Sequence, residues 1–440
     1  MKKQKSQAYI DRLERTKWFR NERFGMFIHW GLYSIPARGE WVRSTEKISI
    51  EDYQQYFDEF NPSDCDMREW AKLAKASGVK YAVLTAKHHD GFCLFDSKFT
   101  EYKSTKTLAG RDFIREFVDA FRAEGIKVGI YYSLVDWYHP DYPAYGDRQH
   151  PMRDNIEYKD KNHNFDNYLT YMHEQVRELC TNYGIIDILW FDFSYWKMKG
   201  DVWKASELTK MIRSLQPNVV INNRLGGNIE ASEPEIYAGD YHGPEQIIPD
   251  AMLVDEEGDP IAWEACITLN RSWGYCSTDK DFKSSAFVIQ TLANCVSKNG
   301  NLLINIGPNA KGIIPPQSAK MLLEVGQWLK DNGKSIYECG PAPIEKQEWG
   351  RFTWDGKKLY AHIDKPVLGQ IYFKGMKNKI KKARLLSDGS EIILSEYWNQ
   401  DNGVDKYGTA EDVFVNFGHP VANSFDLPDA KGTVIEFELK

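Results

Sequence analysis

Residues 185–194, IIDILWFDFS, run from apolar strand-forming side chains straight into the carboxylate of Asp192. The run lacks a clean period of two, so both of its faces are expected to be buried, as in a parallel sheet or barrel strand. Alternation puts Ile186, Ile188, Trp190 and Asp192 on one side. A carboxylate at the C-terminal end of such a strand emerges at the rim where barrel enzymes keep their chemistry. The plainer reading is a solvated Asp that caps the next helix. Other expected strand ends supply His29, His88, His89, Tyr132, Arg224 and Glu264, and a long loop supplies Glu233, Glu235 and Glu245. Each alone reads as a satisfied polar residue. Their recurrence at successive strand ends is what points to a site.

Two chemistries fit this set. In one, histidines and Asp192 bind a divalent metal, as in many barrel hydrolases. Such ligands usually arrive as HxH or HExxH, and the adjacent His88-His89 pair would point to opposite faces of a strand. In the other, His, Tyr and Arg hydrogen-bond to hydroxyls while two carboxylates act on a glycosidic bond, one as nucleophile and one as acid/base, ~5–5.5 Å apart in the retaining mechanism. Tryptophans at strand ends (Trp30, Trp41, Trp190, Trp263, Trp273) would then wall the sugar. We favour the second.

These side chains need a repeating frame. Strands are expected at 24–31, 79–85, 126–132, 185–192, 219–221, 261–264 and 301–306. Helices are expected at 66–77, 112–124, 166–183, 201–215, 283–298 and 316–331, after a helical lead-in over 1–23. Strand and glycine-stopped helix alternating over some 330 residues predict an α/β fold, a (β/α)₈-like (TIM) barrel with irregular units. An open doubly wound sheet is the alternative, weakened by the lack of a GxGxxG turn after the first strand. The stretch 225–262 has little periodicity and reads as a long functional loop. After residue 340 the pattern changes to hairpins with Asp-Gly turns (352–363 and 383–394) and strands at 413–417 and 433–439. The expected domains are therefore a catalytic barrel, 1–340, and a C-terminal antiparallel β-sandwich, 341–440.

Composition narrows the classes. The 440 residues exceed what one core organises. Fourteen Trp, 24 Tyr and 22 Phe suit stacking on ring-shaped polar ligands as well as cores. A net charge of −7 is too dilute to imply nucleic acid or an anionic membrane as partner. Seven scattered cysteines, none in CxxC spacing, argue for reduced thiols. The basic start is not followed by an apolar signal core, and no stretch reaches 18 apolar residues. A cytoplasmic location is expected, with no membrane partner; an oligomer is compatible with the sequence.

These residues, in this order, resemble the α-L-fucosidases of glycoside hydrolase family 29. The likeness is carried by FGMFIHWGLYS (24–34), GEW (39–41), GVKYAVLTAKHHDGFCLFDS (78–97), GIYYSLVDW (129–137), ILWFDF (188–193), INNR (221–224), GDYHGPEQIIP (239–249), WEACITLNRSWGY (263–275) and NGNLLINIGPNAKG (299–312). The resemblance implies a retaining exo-α-L-fucosidase without metal or organic cofactor, acting on small fucosylated oligosaccharides or glycosides. Asp192 corresponds to the nucleophile. His29, Glu40, Trp41, His88, His89, Tyr132, Trp190 and Arg224 match residues that bind the fucose hydroxyls, and Trp273 matches an aromatic facing the C5 methyl. Glu245, in the PEQ segment, matches the acid/base of one branch; Glu264 is the alternative, and Glu233 and Glu235 lie in an apparent insertion (EASEPEIYAG). The PEQ segment resembles the branch that prefers α-1,3/1,4 linkages. A metal-dependent hydrolase, and a fucose-binding relative that has lost catalysis, are the competing readings; the second should lack one of the two carboxylates.

Overall fold

A computed structural model describes residues 6–159, 161–366, 371–395, 411–415, 417 and 427–440. Seven parallel strands make one curved sheet: β1 Phe24–Ile28, β2 Tyr81–Lys87, β3 Lys127–Ser133, β4 Ile188–Asp192, β5 Val220–Ile221, β6 Trp263–Thr268 and β7 Gly300–Ile306. Their order is β5-β4-β3-β2-β1-β7-β6. Helices Met67–Ala76, Phe113–Ala123, Phe165–Asn182, Ala205–Leu215, Ser285–Val296 and Pro316–Asn332 cover the outside. Several start where a short polar side chain accepts a first-turn N–H: Asp66 from Arg68, Asp112 from Arg115 and Ser284 from Phe287. The helix Phe113–Ala123 buries Phe113, Ile114, Phe117, Val118 and Phe121 against the sheet, each worth roughly 1.5–3 kcal/mol.

Strand alternation sorts the sheet's side chains into two sets. Phe27, Tyr81, Val83, Tyr131, Ile188, Trp190, Cys266 and Leu303 point inward and pack together. Ile28, Leu84, Ile130, Tyr132, Leu189 and Phe191 face the helices. The interior is crowded enough that Gly25 is required: a Cβ there would sit 2.2 Å from the Tyr81 ring.

β5 and β6 do not pair with each other. Residues 240–246 fill the space between them. Asp240 N–H donates to Ile221 O at 2.7 Å, His242 N–H to Ala262 O at 2.9 Å, Glu264 N–H to His242 O at 2.9 Å and Cys266 N–H to Pro244 O at 3.1 Å. Residues 240–246 of the expected long loop therefore form an irregular eighth stave. It escapes sequence reading because its pairing is interrupted by Gly243 and Pro244 and no helix follows it before β6.

The chain then makes β8 Gly340–Pro341, β9 Gly350–Trp354, β10 Lys358–Ile363, β11 Ile371–Phe373, β12 Ile380–Leu385, β13 Leu394–Ser395, β14 Val413–Val415 and β15 Thr433–Leu439. Sheets β12-β15-β10-β9-β8 and β11-β14-β13 enclose a common core of Trp349, Phe352, Ile371, Phe373, Val415, Ile435 and Phe437, an antiparallel β-sandwich. The Asp355-Gly356 hairpin forms as expected. The second expected hairpin begins, with Ile392 N–H donating to Ala383 O at 3.0 Å, but β13 then pairs with β14 in the opposite sheet. Asn416, within the expected strand 413–417, lies outside the described residues. Trp328 Nε1 of the last barrel helix donates to Gly432 O at 2.7 Å, joining sandwich to barrel. No helix among the described residues is long and apolar enough to cross a membrane.

Candidate active site

Asp192 ends β4 on the interior face, following Ile188 and Trp190. The β3–β4 register sets Tyr131 beside Trp190, and the Tyr131 hydroxyl donates to Asp192 Oδ2 at 2.9 Å. Asp192 Oδ1 accepts from Arg224 Nη1 at 3.1 Å. Arg224 lies in the single 3₁₀ turn after β5, its guanidinium 5.0 Å from the Trp190 ring centroid. Its other terminal nitrogen donates to Glu245 Oε2 at 3.0 Å and to Gly243 O at 3.2 Å. One guanidinium thus spans two carboxylates. Phe193, at φ 81°, turns the chain so that its own N–H also serves the Asp192 carboxylate.

Burial pushes the Asp192 carboxyl up to about 6; the Arg224 charge opposes the rise and the Glu245 charge adds to it. At neutral pH the group is still mostly ionised. Burial works against the charge of Arg224, but Asp192, Cys266 and Glu245 outweigh it and hold the guanidinium above its ordinary range.

The wall around Asp192 is made by Phe27, His29, Trp41, His88, His89, Tyr131, Trp190, Phe193, Glu245, Cys266 and Trp273. Hydrogen bonding fixes the histidine tautomers. Asn305 Nδ2 donates to Trp273 O at 2.7 Å, which turns its Oδ1 toward His29 Nδ1, also 2.7 Å away. His29 therefore carries its proton on Nδ1 and presents Nε2 as an acceptor. Ser133 donates to Val135 O at 2.6 Å, so its Oγ accepts from His89 Nδ1 at 2.7 Å. His89 Nε2, a lone pair, stands 3.8 Å from Asp192 Oδ2. Burial lowers His29 to about 3 and takes His88 and His89 well below the usual imidazole range, so all three are neutral. His88 lies parallel to Tyr131, 5.5 Å between centroids and 11° between planes. Among the described residues no group of three or more His, Cys, Asp and Glu stands where it could hold a metal ion.

The site is a blind, aromatic cup with neutral acceptors on its wall and an Arg-bridged carboxylate pair at its mouth. Residues 1–334 match the family model described as alpha-L-fucosidase. The chain belongs to the α-L-fucosidase family. It is similar to alpha-L-fucosidase isoenzyme 1 of Paenibacillus thiaminolyticus, with 60% identity over 98% of this chain and 100% of that one and a TM-score of 0.94. The tissue alpha-L-fucosidase of Rattus norvegicus is 30% identical over 89% of this chain and 85% of the relative. A family 29 α-L-fucosidase of Bacteroides thetaiotaomicron, solved as a trapped covalent intermediate with 2-fluoro-fucosyl fluoride in a Glu→Gln variant, is 30% identical over 100% of this chain and 98% of that one, with a TM-score of 0.78.

Against this family frame, the structure gathers most of the expected residues and moves several. His29, Trp41, His88, His89, Trp190, Trp273, Asp192 and Glu245 meet at one cup, with Arg224 at its mouth. Tyr132 does not join them. It faces outward, its hydroxyl donating to Gln175 at 2.8 Å under Lys87; its neighbour Tyr131 takes the inward position. His88 and His89 line the same cup, because β2 ends at Lys87 and strand alternation no longer governs them. Glu40 stands behind the wall, accepting Gly274 N–H at 2.7 Å and so anchoring the turn that carries Trp273. That contact is close: a Cβ at Gly274 would come within 3.0 Å of the Glu40 nitrogen.

Glu264 is second in β6 rather than at its end, roughly 13 Å below the rim. There it accepts the Tyr81 hydroxyl at 2.5 Å. Burial pushes it up to about 7, opposed chiefly by the hydrogen bond from Tyr81. Glu233 and Glu235 line a separate cavity of about 480 Å³ beside the helix Gln7–Arg15. Trp30 and Trp263 are core residues, their indoles donating to Asn309 O and Lys298 O. Sequence reasoning does not single out Tyr131, Ser133, Phe193 or Asn305, although all four lie in the segments 129–137, 188–193 and 299–312 that carry the family likeness.

Proposed function

We propose that this chain is a retaining exo-α-L-fucosidase with Asp192 as nucleophile and Glu245 as acid/base. The observation that supports it best is the Arg224 bridge between the two carboxylates at the mouth of a cup lined by neutral histidines and tryptophans. In the first step an Asp192 oxygen attacks the anomeric carbon as the C1–O bond breaks, and Glu245 gives its proton to the departing oxygen. Arg224 stays beside Glu245 through both steps, and in the second Glu245 takes a proton from the attacking water. Water then adds to C1, and Asp192 leaves with its electron pair.

His29 and His89 accept hydrogen bonds from sugar hydroxyls at Nε2, and Tyr131 holds the nucleophile in place. Trp273, tilted at 35° to His29 with centroids 5.1 Å apart, offers an apolar face to the C5 methyl, where a hydroxyl would go unmatched. The substrates are small α-L-fucosylated oligosaccharides or glycosides. Seven unpaired thiols, six of them buried, support the cytoplasm as its compartment.

The test is turnover of an aryl α-L-fucoside followed by NMR, with a parallel screen of α-1,2-, α-1,3-, α-1,4- and α-1,6-fucosylated saccharides. Release of α-L-fucose as the first product anomer, insensitive to a chelator, is expected. Initial release of the β anomer, or no action on any fucoside, refutes the reading.

A further inference from the structure

Four residues beyond Asp192 the chain makes a tight hairpin at the same rim. Tyr195 N–H donates to Met198 O at 3.0 Å and Met198 N–H to Tyr195 O at 2.8 Å. The first central residue of this turn is Trp196, at φ 49°. Such a position favours Gly, Asn or Asp, and a bulky aromatic there is strained. The side chain gains little burial in return, since Trp196 is 68% exposed. A tryptophan that strains its own turn and stays in water has no structural account.

Its surroundings give it a fixed posture. Tyr195 packs edge-on against Phe193, 5.1 Å between centroids, and Phe193 in turn packs on Trp41 and His89 in the cup wall. The Tyr195 hydroxyl is tied to Asp147 and Tyr142. The Arg148 guanidinium lies over the indole, 5.3 Å from its centroid. Arg148 comes from the loop after β3, so two rim loops meet at Trp196. The indole is thus held beside the mouth of the cup from which a leaving group would project.

We propose that Trp196 is a stacking platform for the sugar ring that bears the fucose, and so determines which saccharides this enzyme accepts. The inference rests on the fucosidase reading above. A pyranose has an apolar face of C–H groups that suits an indole, and its hydroxyls reach the Arg148 guanidinium at the platform's edge. A pre-positioned indole costs little ordering on binding.

The test compares two substrates: α-L-fucosyl fluoride, whose leaving group cannot reach the platform, and a fucosylated trisaccharide. In Trp196→Ala and Trp196→Asn, the ratio of kcat/KM on the trisaccharide to kcat/KM on the fluoride should fall about fivefold. Trp196→Phe should recover much of it. Because Asn suits the positive φ, Trp196→Asn should melt no lower than the wild type. An unchanged ratio in both variants, or an equal fall on both substrates, overturns the platform. Wild-type failure on every fucoside would instead overturn the fucosidase reading itself.

Discussion

The two carboxylates at the mouth of the barrel are held in opposite ways. Asp192 belongs to a regular strand paired with β3 along its whole length, and it receives Tyr131, Arg224 and its neighbour's N–H. Glu245 belongs to the irregular stave between β5 and β6, next to Gln246 at φ 56°, with its side chain 43% exposed and Arg224 as its side-chain partner. A nucleophile must meet one carbon at one angle, so it gains from a rigid mount. An acid/base must serve a departing oxygen and then a water, so it gains from access. In the roles proposed above, the contrast gives geometry to the strand and adaptability to the stave.

Removing the mounted group should do the most damage. Asp192→Ala is expected to lower kcat on an aryl fucoside roughly 10⁴-fold or more. Azide should then restore part of the aryl release and form the β-fucosyl azide, detectable by NMR. An α-azide, or no rescue, would break the assignment. Glu245→Ala should cost roughly 10²–10³-fold on saccharides with poor leaving groups and far less on activated aryl fucosides. Equal losses on both classes would show that the stave does not carry the acid.

The mount itself can be probed with adjacent tyrosines. Tyr131→Phe removes a hydrogen bond to a charged acceptor, worth ~1.5–3 kcal/mol, and should lower kcat/KM about 10- to 100-fold. Tyr132→Phe should leave kcat/KM within about threefold and lower Tm instead, because its partner is Gln175. The reverse ranking would mean the two rings are exchanged in solution.

Titration sharpens the contrast further. The Asp192 carboxyl, raised to about 6 by burial, loses its charge as pH falls, so kcat/KM should drop about tenfold per unit below pH 6. In Arg224→Leu, loss of the opposing charge should move this limb to higher pH. A limb that stays put would deny the coupling.

The smallest effect concerns Glu264. Its folded value of about 7 lies above the ordinary carboxyl value of 4.5, so the fold loses stability as pH rises from 4.5 through 7. Glu264→Gln should therefore raise Tm by about 1–3 °C at pH 8 and by less at pH 5. A larger gain at pH 5 than at pH 8 would reverse the sign and put the folded value below the ordinary 4.5.

How much of this could be read beforehand follows the same division. The strand carrying Asp192 announces itself through composition and an abrupt polar end, and the barrel follows from repeated strand–helix units. Arg224 and the histidines sit at strand ends that periodicity locates. Tyr131 against Tyr132 could not be settled that way, because two adjacent tyrosines end an apolar run and only the register with β4 fixes which points inward. The sequence places Glu264 at a strand end, but β6 extends four residues past it, through Ala265, Cys266, Ile267 and Thr268, which carry no end signal. The eighth stave has no periodic pattern at all. Its pairing comes from β5 and β6, the strands on either side of it, and no local pattern within 240–246 reports those partners.

Asn305 and Ser133 each hold the Nδ1 proton of a histidine and leave the opposite nitrogen bare. The cup therefore asks its guest for hydrogens and offers none from those rings. A fucose whose hydroxyl is capped by methyl or acetyl at these points has no proton to give. Each such mismatch strands a buried lone pair, at a cost of roughly 1–3 kcal/mol. O-substituted fucosides should be refused even where space would admit them.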